Sequence, residues 1–458
     1  PYYPVWHIAP KCGLMNDPNG LCEINGIHHI FYQWFPAGPV HGLKHWYHLT
    51  TKDFIHYEDF GPVVFPDEDI DAHGVYSGSA FIEDDTIHYF YTGNLKYFDR
   101  DDYDYINSGR GSNTITFTSK DGYEFTKKEL LMTTDDYPAD MSNHVRDPKI
   151  FKKNEKYYMV LGARDVEGVG MILLYESTDL KNWTYKNRIT TPQKFGYMWE
   201  CPDLFEMDGQ LYIICCPQGV ETQGIDYENV HQVTAMKLDY DFDTDKYEIT
   251  DIKLFDRGFD FYAPQSFEDE SGRRILIGWM GIPDADYTNP TEEAGWQHAL
   301  TIPRELSVRD GKLIQEPIEE LKQLRSEDKA VCTFCYGQTI IMQNAIYEAV
   351  VDFKRCREMV MTLREGITLS YKDNILTLNL GVYGSGRSTR KVRLEKLEHL
   401  QIFADTSSLE IFVNHGEEVF TTRIYNHYGR LLINGECSGI MTVYPLKSFE
   451  IEGGRHEE

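Results

Sequence analysis

Asp17, Asp147 and Glu200 each stand just ahead of an apolar run that closes in a turn signal. Asp17 reaches Leu21 and then Asn25-Gly26; Glu200 reaches Leu204 and Asp208-Gly209 at the same offsets, and Asp147 reaches Ile150 and Asn154 one residue sooner. If such segments repeat around an axis, side chains at one register converge, so the spacing predicts three carboxylates in one place. Carboxylates pressed together in a low-dielectric funnel separate in pKa, one staying ionised while another keeps its proton. Glycoside hydrolysis needs that division: one carboxylate attacks the anomeric carbon and a second acid protonates the leaving oxygen. Carboxyls roughly 5 to 5.5 Å apart go with retention, and roughly 6.5 to 9.5 Å with inversion.

Neighbouring residues give the acids different expected roles. Asn16-Asp17-Pro18-Asn19-Gly20 reads as a stiff, hydrogen-bonded turn, which keeps Asp17 ionised as the nucleophile. Glu200, between Trp199 and Cys201-Pro202, has less polar neighbours and is expected to hold a proton as the acid. Arg146 is expected to keep Asp147 ionised, suited to binding sugar hydroxyls.

Two further segments, beginning at Ser77 and Ala263, share the pattern, so five units start at 17, 77, 147, 200 and 263. That period reads as four strands plus loops, a five-bladed β-propeller over 1–315 with Asp17, Ser77, Asp147, Glu200 and Ala263 facing its channel. An outer repeat agrees: Thr51-Lys-Asp53, Ser119-Lys-Asp121 and Ser177-Thr-Asp179 each place a turn-forming pair before an aromatic residue. Pro317 opens the clearest helix candidate, taken as a linker over 316–329. From 330 to 458 alternating strands with hairpin signals at Lys372-Asp-Asn374 and Asn414-His-Gly416 predict an antiparallel β-sandwich. The fold class is therefore all-β, which the 31 Tyr and 24 Phe also favour.

A net charge of −28 disfavours nucleic acid or an anionic membrane as partner and leaves a small-molecule sugar; oligomeric state is not legible. No run approaches a membrane span and the first residues lack a signal pattern, so the expectation is a cytoplasmic protein, a trimmed leader aside. Nine cysteines, an odd number, argue for a reducing compartment. Cys332 and Cys335 form a lone CxxC, read as buried strand cysteines and not as a zinc site.

The motifs His7-x-x-Pro10-x-x-Gly13-x-x-Asn16-Asp17-Pro18-Asn19-Gly20, Phe31-Tyr32-Gln33, Tyr76-Ser77-Gly78-Ser79, Arg146-Asp147-Pro148, Glu200-Cys201-Pro202 and Ile302-Pro303-Arg304-Glu305-Leu306 resemble glycoside hydrolase family 32. Ser408-Leu-Glu410-Ile-Phe412-Val-Asn414 resembles its C-terminal sandwich, so the likeness spans nearly the whole chain. It implies a retaining β-fructofuranosidase: Asp17 attacks C2 of a fructofuranosyl unit, Glu200 serves as acid and then base, and Asp147 binds fructose hydroxyls. Asn16, Gln33, Tyr76, Ser77 and Arg146 would line the fructose subsite, and Cys201 would tune the acid. No metal or organic cofactor is implied.

The stretch His41-Gly42-Leu43-Lys44-His45-Trp46-Tyr47-His48 departs from the Trp-Gly of many family members. It is either an ordinary loop entering a strand, or His41, Lys44, His45 or His48 helps form a positive pocket of the kind a phosphorylated leaving glucose would require; the stretch also resembles bacterial sucrose-6-phosphate hydrolases. Lys194, His231 and Arg304 are further candidates. Trp34, Trp46, Trp199, Trp279 and Trp296 are candidate sugar platforms in a β-rich chain whose aromatics are mostly core, and Trp46 and Trp279 are the two expected to serve. The rivals are a fructan hydrolase or fructosyl-transferring enzyme, a carbohydrate-binding propeller without turnover, and an inverting pentosidase.

Overall fold

Alternation explains the sheets. In Lys156–Asp165, Tyr158 and Val160 point into one apolar cluster while Met159, Leu161 and Ala163 point into the next, the two-residue period of a strand buried on both faces. The computed structural model describes residues 1–337 and 340–453. Five antiparallel four-stranded meanders come first, the first of them extended to a six-stranded sheet by Trp296–Gln297 and Glu450–Gly453, which add in parallel at its two edges; the leading strands are Gly13–Ile24, Val75–Glu83, Met141–Lys153, Met198–Met207 and Tyr262–Glu268. Each leading strand contacts the next, and the fifth contacts the first, which closes the ring of a five-bladed β-propeller. Apolar clusters fill the gaps between blades: Trp46 and Phe31 meet Tyr89 and Ile115, and Phe205 and Tyr212 meet Leu276.

The outer repeat closes turns as its residue types predict. The backbone amides of Phe54, Gly122 and Leu180 donate to the hydroxyls of Thr51, Ser119 and Ser177 at 2.8, 2.8 and 3.0 Å.

Directly after Lys312–Pro317 comes a 3-10 segment, Glu319–Leu324, that buries Leu321 and Leu324. The expected helix start at Pro317 is corrected: Pro317 ends the edge strand of the fifth blade, opposite Arg304, a place where a missing N–H costs no ladder bond. Two six-stranded sheets then pack as a sandwich. Its hairpins carry left-handed residues at Asp373 and Asn374 and at Asn414 and His415. The last described strand, Glu450–Gly453, returns to pair in parallel with His56–Val64 of the first blade. Cys335 is exposed and Cys332 half-buried, because Cys335 lies past the end of Ala330–Phe334; the expectation that both are buried is corrected.

Propeller and sandwich are joined through a buried ionic knot. His7 bonds Asp405 at 2.7 Å and Glu410 at 2.6 Å, and Arg304 bonds the same Glu410 at 2.9 Å. Burial alone would lower the His7 pKa, but its bonds to Asp405 and Glu410 prevail and raise it from 6.5 to about 9. A group raised on folding stabilises fully below its unfolded pKa and loses that contribution as pH rises through the folded one. The difference in Tm between the native chain and His7→Gln is therefore expected to shrink from pH 6.5 to beyond 9; a constant difference would contradict a charged His7.

Candidate active site

All five leading strands break their ladder at one place, where a β-bulge leaves two residues unpaired: Asn16-Asp17, Tyr76-Ser77, Asp147-Pro148, Cys201-Pro202 and Ala263-Pro264. Asp147, Cys201 and Ala263 share left-handed φ values of 69°, 48° and 45°. A bulge re-aims side chains that regular alternation would send to opposite faces. Counted from it, Glu200 comes just before, Asp147 is the first unpaired residue and Asp17 the second. The single register expected from the spacing is thus corrected to three successive positions. The first blade's hairpin is longer and carries a second bulge between Asn19 and Cys22, which makes the offsets to the turns agree. Asn16 to Gly20 accordingly lies in a strand and not in a turn, with Gly20 at φ 56° in that second bulge.

The three carboxylates line one cavity of about 710 Å³. Asp17 accepts from Ser77 Oγ at 2.6 Å and Asn19 Nδ2 at 2.7 Å, and Gln33 holds Asn19 in place at 2.7 Å. Burial outweighs these bonds and raises the Asp17 pKa to about 6. Asp147 accepts from the Cys201 backbone amide at 2.9 Å, and Cys201 Sγ lies 3.4 Å away. Glu200 accepts from Arg146 Nε and Nη2 at 3.0 and 2.8 Å, from Tyr262 at 2.6 Å and from Gln218.

The electrostatics reverse two expectations. Arg146 turns its fork to Glu200, so although burial pushes Glu200 upward, the guanidinium and Tyr262 bring it below the usual carboxylate range. Asp147 rises to about 7 through burial, with the Glu200 charge adding to it, because adjacent Arg146 only partly opposes both. The softening expected from Trp199 is absent: Trp199 alternates away, fully buried between the third and fourth blades.

The cavity gathers Asn16, Gln33, Tyr76, Ser77, Arg146, Cys201, Trp279, His41 and Lys44 as expected. Lys44 Nζ donates to Asn16 Oδ1 at 2.6 Å and stands 3.2 Å from His41. The others do not reach it. Trp46 is wholly buried, its Nε1 donating to the Tyr76 carbonyl, and His48 stacks on Phe31, because both occupy the core-facing alternation of His45–Thr51. His45 points outward against Phe65. Lys194 is exposed outside the lining, His231 is bound to Asp284 behind it, and Arg304 belongs to the buried knot with Glu410. Sequence reasoning missed Tyr262, which occupies the same pre-bulge position as Glu200, together with Gln218, Arg110, His144 and Arg164. Among the described residues no group of three or more His, Cys, Asp and Glu is placed to hold a metal ion.

The profile of the glycosyl hydrolases family 32 N-terminal domain matches residues 7–317, and that of the family 32 C-terminal domain matches 337–443. The chain belongs to glycoside hydrolase family 32. Among its family 32 relatives, a sucrose-6-phosphate hydrolase of Staphylococcus xylosus is 37% identical over 99% of this chain and 93% of its own. One of Vibrio alginolyticus is 39% identical over 92% and 86%. The solved sucrose-6-phosphate hydrolase of Lactobacillus gasseri superposes with a TM-score of 0.87 at 29% identity, covering 98% of this chain and 94% of that one. A mutant family 32 β-fructofuranosidase of Bombyx mori, solved with sucrose, gives 0.83 at 28%, covering 99% and 95%.

Proposed function

We propose that this family 32 chain is a β-fructofuranosidase that cleaves sucrose 6-phosphate and sucrose by double displacement. The observation that carries the reading is one cavity whose three carboxylates have three different sets of partners. Asp17, held by Ser77 and Asn19, is the nucleophile; Glu200, held by Arg146, Tyr262 and Gln218, is the acid and base; Asp147 binds fructose hydroxyls. The names of the relatives support the substrate, and nine unpaired cysteines support a cytoplasmic setting.

The neighbouring Asp147 and Glu200 share one proton near neutral pH, and Arg146 places it on Asp147. Fructose hydroxyls donating to Asp147 favour its ionised form, so the proton passes to Glu200. Asp17 then attacks C2 as the glycosidic C–O bond breaks, and Glu200 gives its proton to the departing oxygen. Water attacks C2 of the fructosyl ester, loses a proton to Glu200 and frees Asp17.

The pH dependence follows with its sign. Below about 6 Asp17 is protonated and cannot attack; above about 7 the pair has lost the proton it must donate. Fructose release from sucrose and sucrose 6-phosphate is expected to give a narrow bell in kcat/KM with limbs near those values, and slower release from inulin. A rate rising steadily from pH 5 to 9, or no fructose from any of the three, would contradict the reading.

A further inference from the structure

One wall of the cavity is made of donors that lack acceptors. Arg110 Nη1, His144 Nε2 and Arg164 Nε are buried without a hydrogen-bond partner, and neither Arg110 nor Arg164 forms an ion pair among the described residues. His144 Nδ1 lies 2.6 Å from Arg146 Nη1. Arginine can only donate, so Nδ1 accepts and the imidazole proton sits on Nε2, a third donor. Burial first, and then the charges of Arg146, Arg110 and Arg164, push His144 down to about 2, which keeps the ring neutral.

The wall is also held in shape. Arg110 Nε is fixed to Asn94 Oδ1 at 3.0 Å, with the Tyr105 and Tyr76 rings 5.0 and 5.6 Å from its guanidinium; Arg164 lies 4.7 Å over the Tyr197 ring. The Tyr105 ring meets His144 edge-on at 5.1 Å. The carboxylates of the cavity do not satisfy these donors: Glu200 is taken by Arg146, Asp284 by His231 at 2.8 Å, and Asp17 and Asp147 by the groups named above. In a chain of net charge −28, stacked arginines without counter-ions are suited to an acceptor-only dianion brought by the ligand.

We propose that Arg110, His144 and Arg164 form a cradle for a phosphate ester on the leaving hexose, and that these residues, not the His41 to His48 stretch, set the preference for a phosphorylated disaccharide. The proposal rests on the fructosyl-hydrolysis reading, which places the leaving sugar in this cavity. Asp17, Asp147 and Glu200 handle the fructose, and the cradle handles the far end of the other ring.

The test compares kcat/KM for sucrose 6-phosphate with that for sucrose in the native enzyme, Arg110→Gln, Arg164→Gln and Arg164→Lys. Each Gln variant is expected to lower the ratio by about tenfold or more, the loss of one charge-assisted hydrogen bond, with Arg164→Lys between. The guanidinium of Arg164 makes no hydrogen bond to the protein among the described residues, so Arg164→Gln decides the matter even if Arg110→Gln, which gives up Asn94, fails to fold. Calorimetric binding of glucose 6-phosphate against glucose gives a readout independent of turnover, and the same variants should weaken only the phosphorylated sugar. A ratio changed by less than about twofold in Arg164→Gln, or equal binding of the two glucoses by the native protein, overturns the cradle. A native enzyme that frees no fructose sinks the parent reading instead, while the binding comparison still decides the cradle.

Discussion

Asp17→Asn is expected to fold normally and to lose at least about ten-thousandfold in turnover on sucrose, a barrier increase of about 5.5 kcal/mol. The size follows from the role: without a carboxylate no fructosyl ester forms, and neither Asp147 nor Glu200 can replace it, since one is bonded to Cys201 and the other to Arg146. Folding should not suffer, because an amide oxygen still accepts from Ser77 and Asn19 at the same place. Stability should rise above neutral pH. Burial raises the Asp17 pKa from 3.8 to about 6, so its ionised form opposes folding at pH 7.5, by up to about 3 kcal/mol. A higher Tm with lost activity is the combined signature; residual turnover above about one per cent would remove Asp17 from its role.

Glu200→Gln is expected to separate substrates by leaving group. On sucrose, whose alkoxide leaves poorly, the loss should be about a thousandfold; on a fructosyl fluoride, which needs no proton, the first step should be nearly untouched. The second step still lacks its base, so the fructosyl enzyme should accumulate. The alkaline limb near 7 should vanish from the first step, because the shared proton no longer has a donor role. Equal losses on sucrose and on the fluoride would count against Glu200 as the acid.

The propeller and the sandwich are legible because neighbouring units repeat the same physical demands: two-residue alternation throughout, a Ser/Thr-x-Asp turn in the first three blades, and an acid or hydroxyl at the channel in the first four. The gathering of Asp17, Asp147 and Glu200 is legible for the same reason. Their relative charge is not, since Arg146 stands beside Asp147 in sequence yet spends its fork on Glu200 in the next blade. The stretch from His41 to His48 misleads when taken as a basic cluster. Taken as a strand, its own alternation sends Trp46 and His48 to the core and leaves the preceding residues, His41 to Lys44, at the cavity.

Arg110 and Arg164 follow from antiparallel geometry once the blades are drawn. In each meander the start of the first strand, the end of the second and the start of the third lie on one rim. Arg164 falls near the end of Lys156–Asp165, Gln218 ends Gln210–Gln218, and Arg110 begins Arg110–Ser119. Spacing along the chain carries no hint of their meeting, because 54 residues separate Arg110 from Arg164.

The central claim is that Asp17 becomes covalently fructosylated while Glu200 only moves protons. Glu200→Gln mixed with a fructosyl fluoride, quenched in acid and digested, should yield one peptide heavier by a single fructosyl residue, and that peptide should contain Asp17. An adduct on the peptide carrying Asp147, or no adduct while fructose is still released at a steady rate, would contradict it.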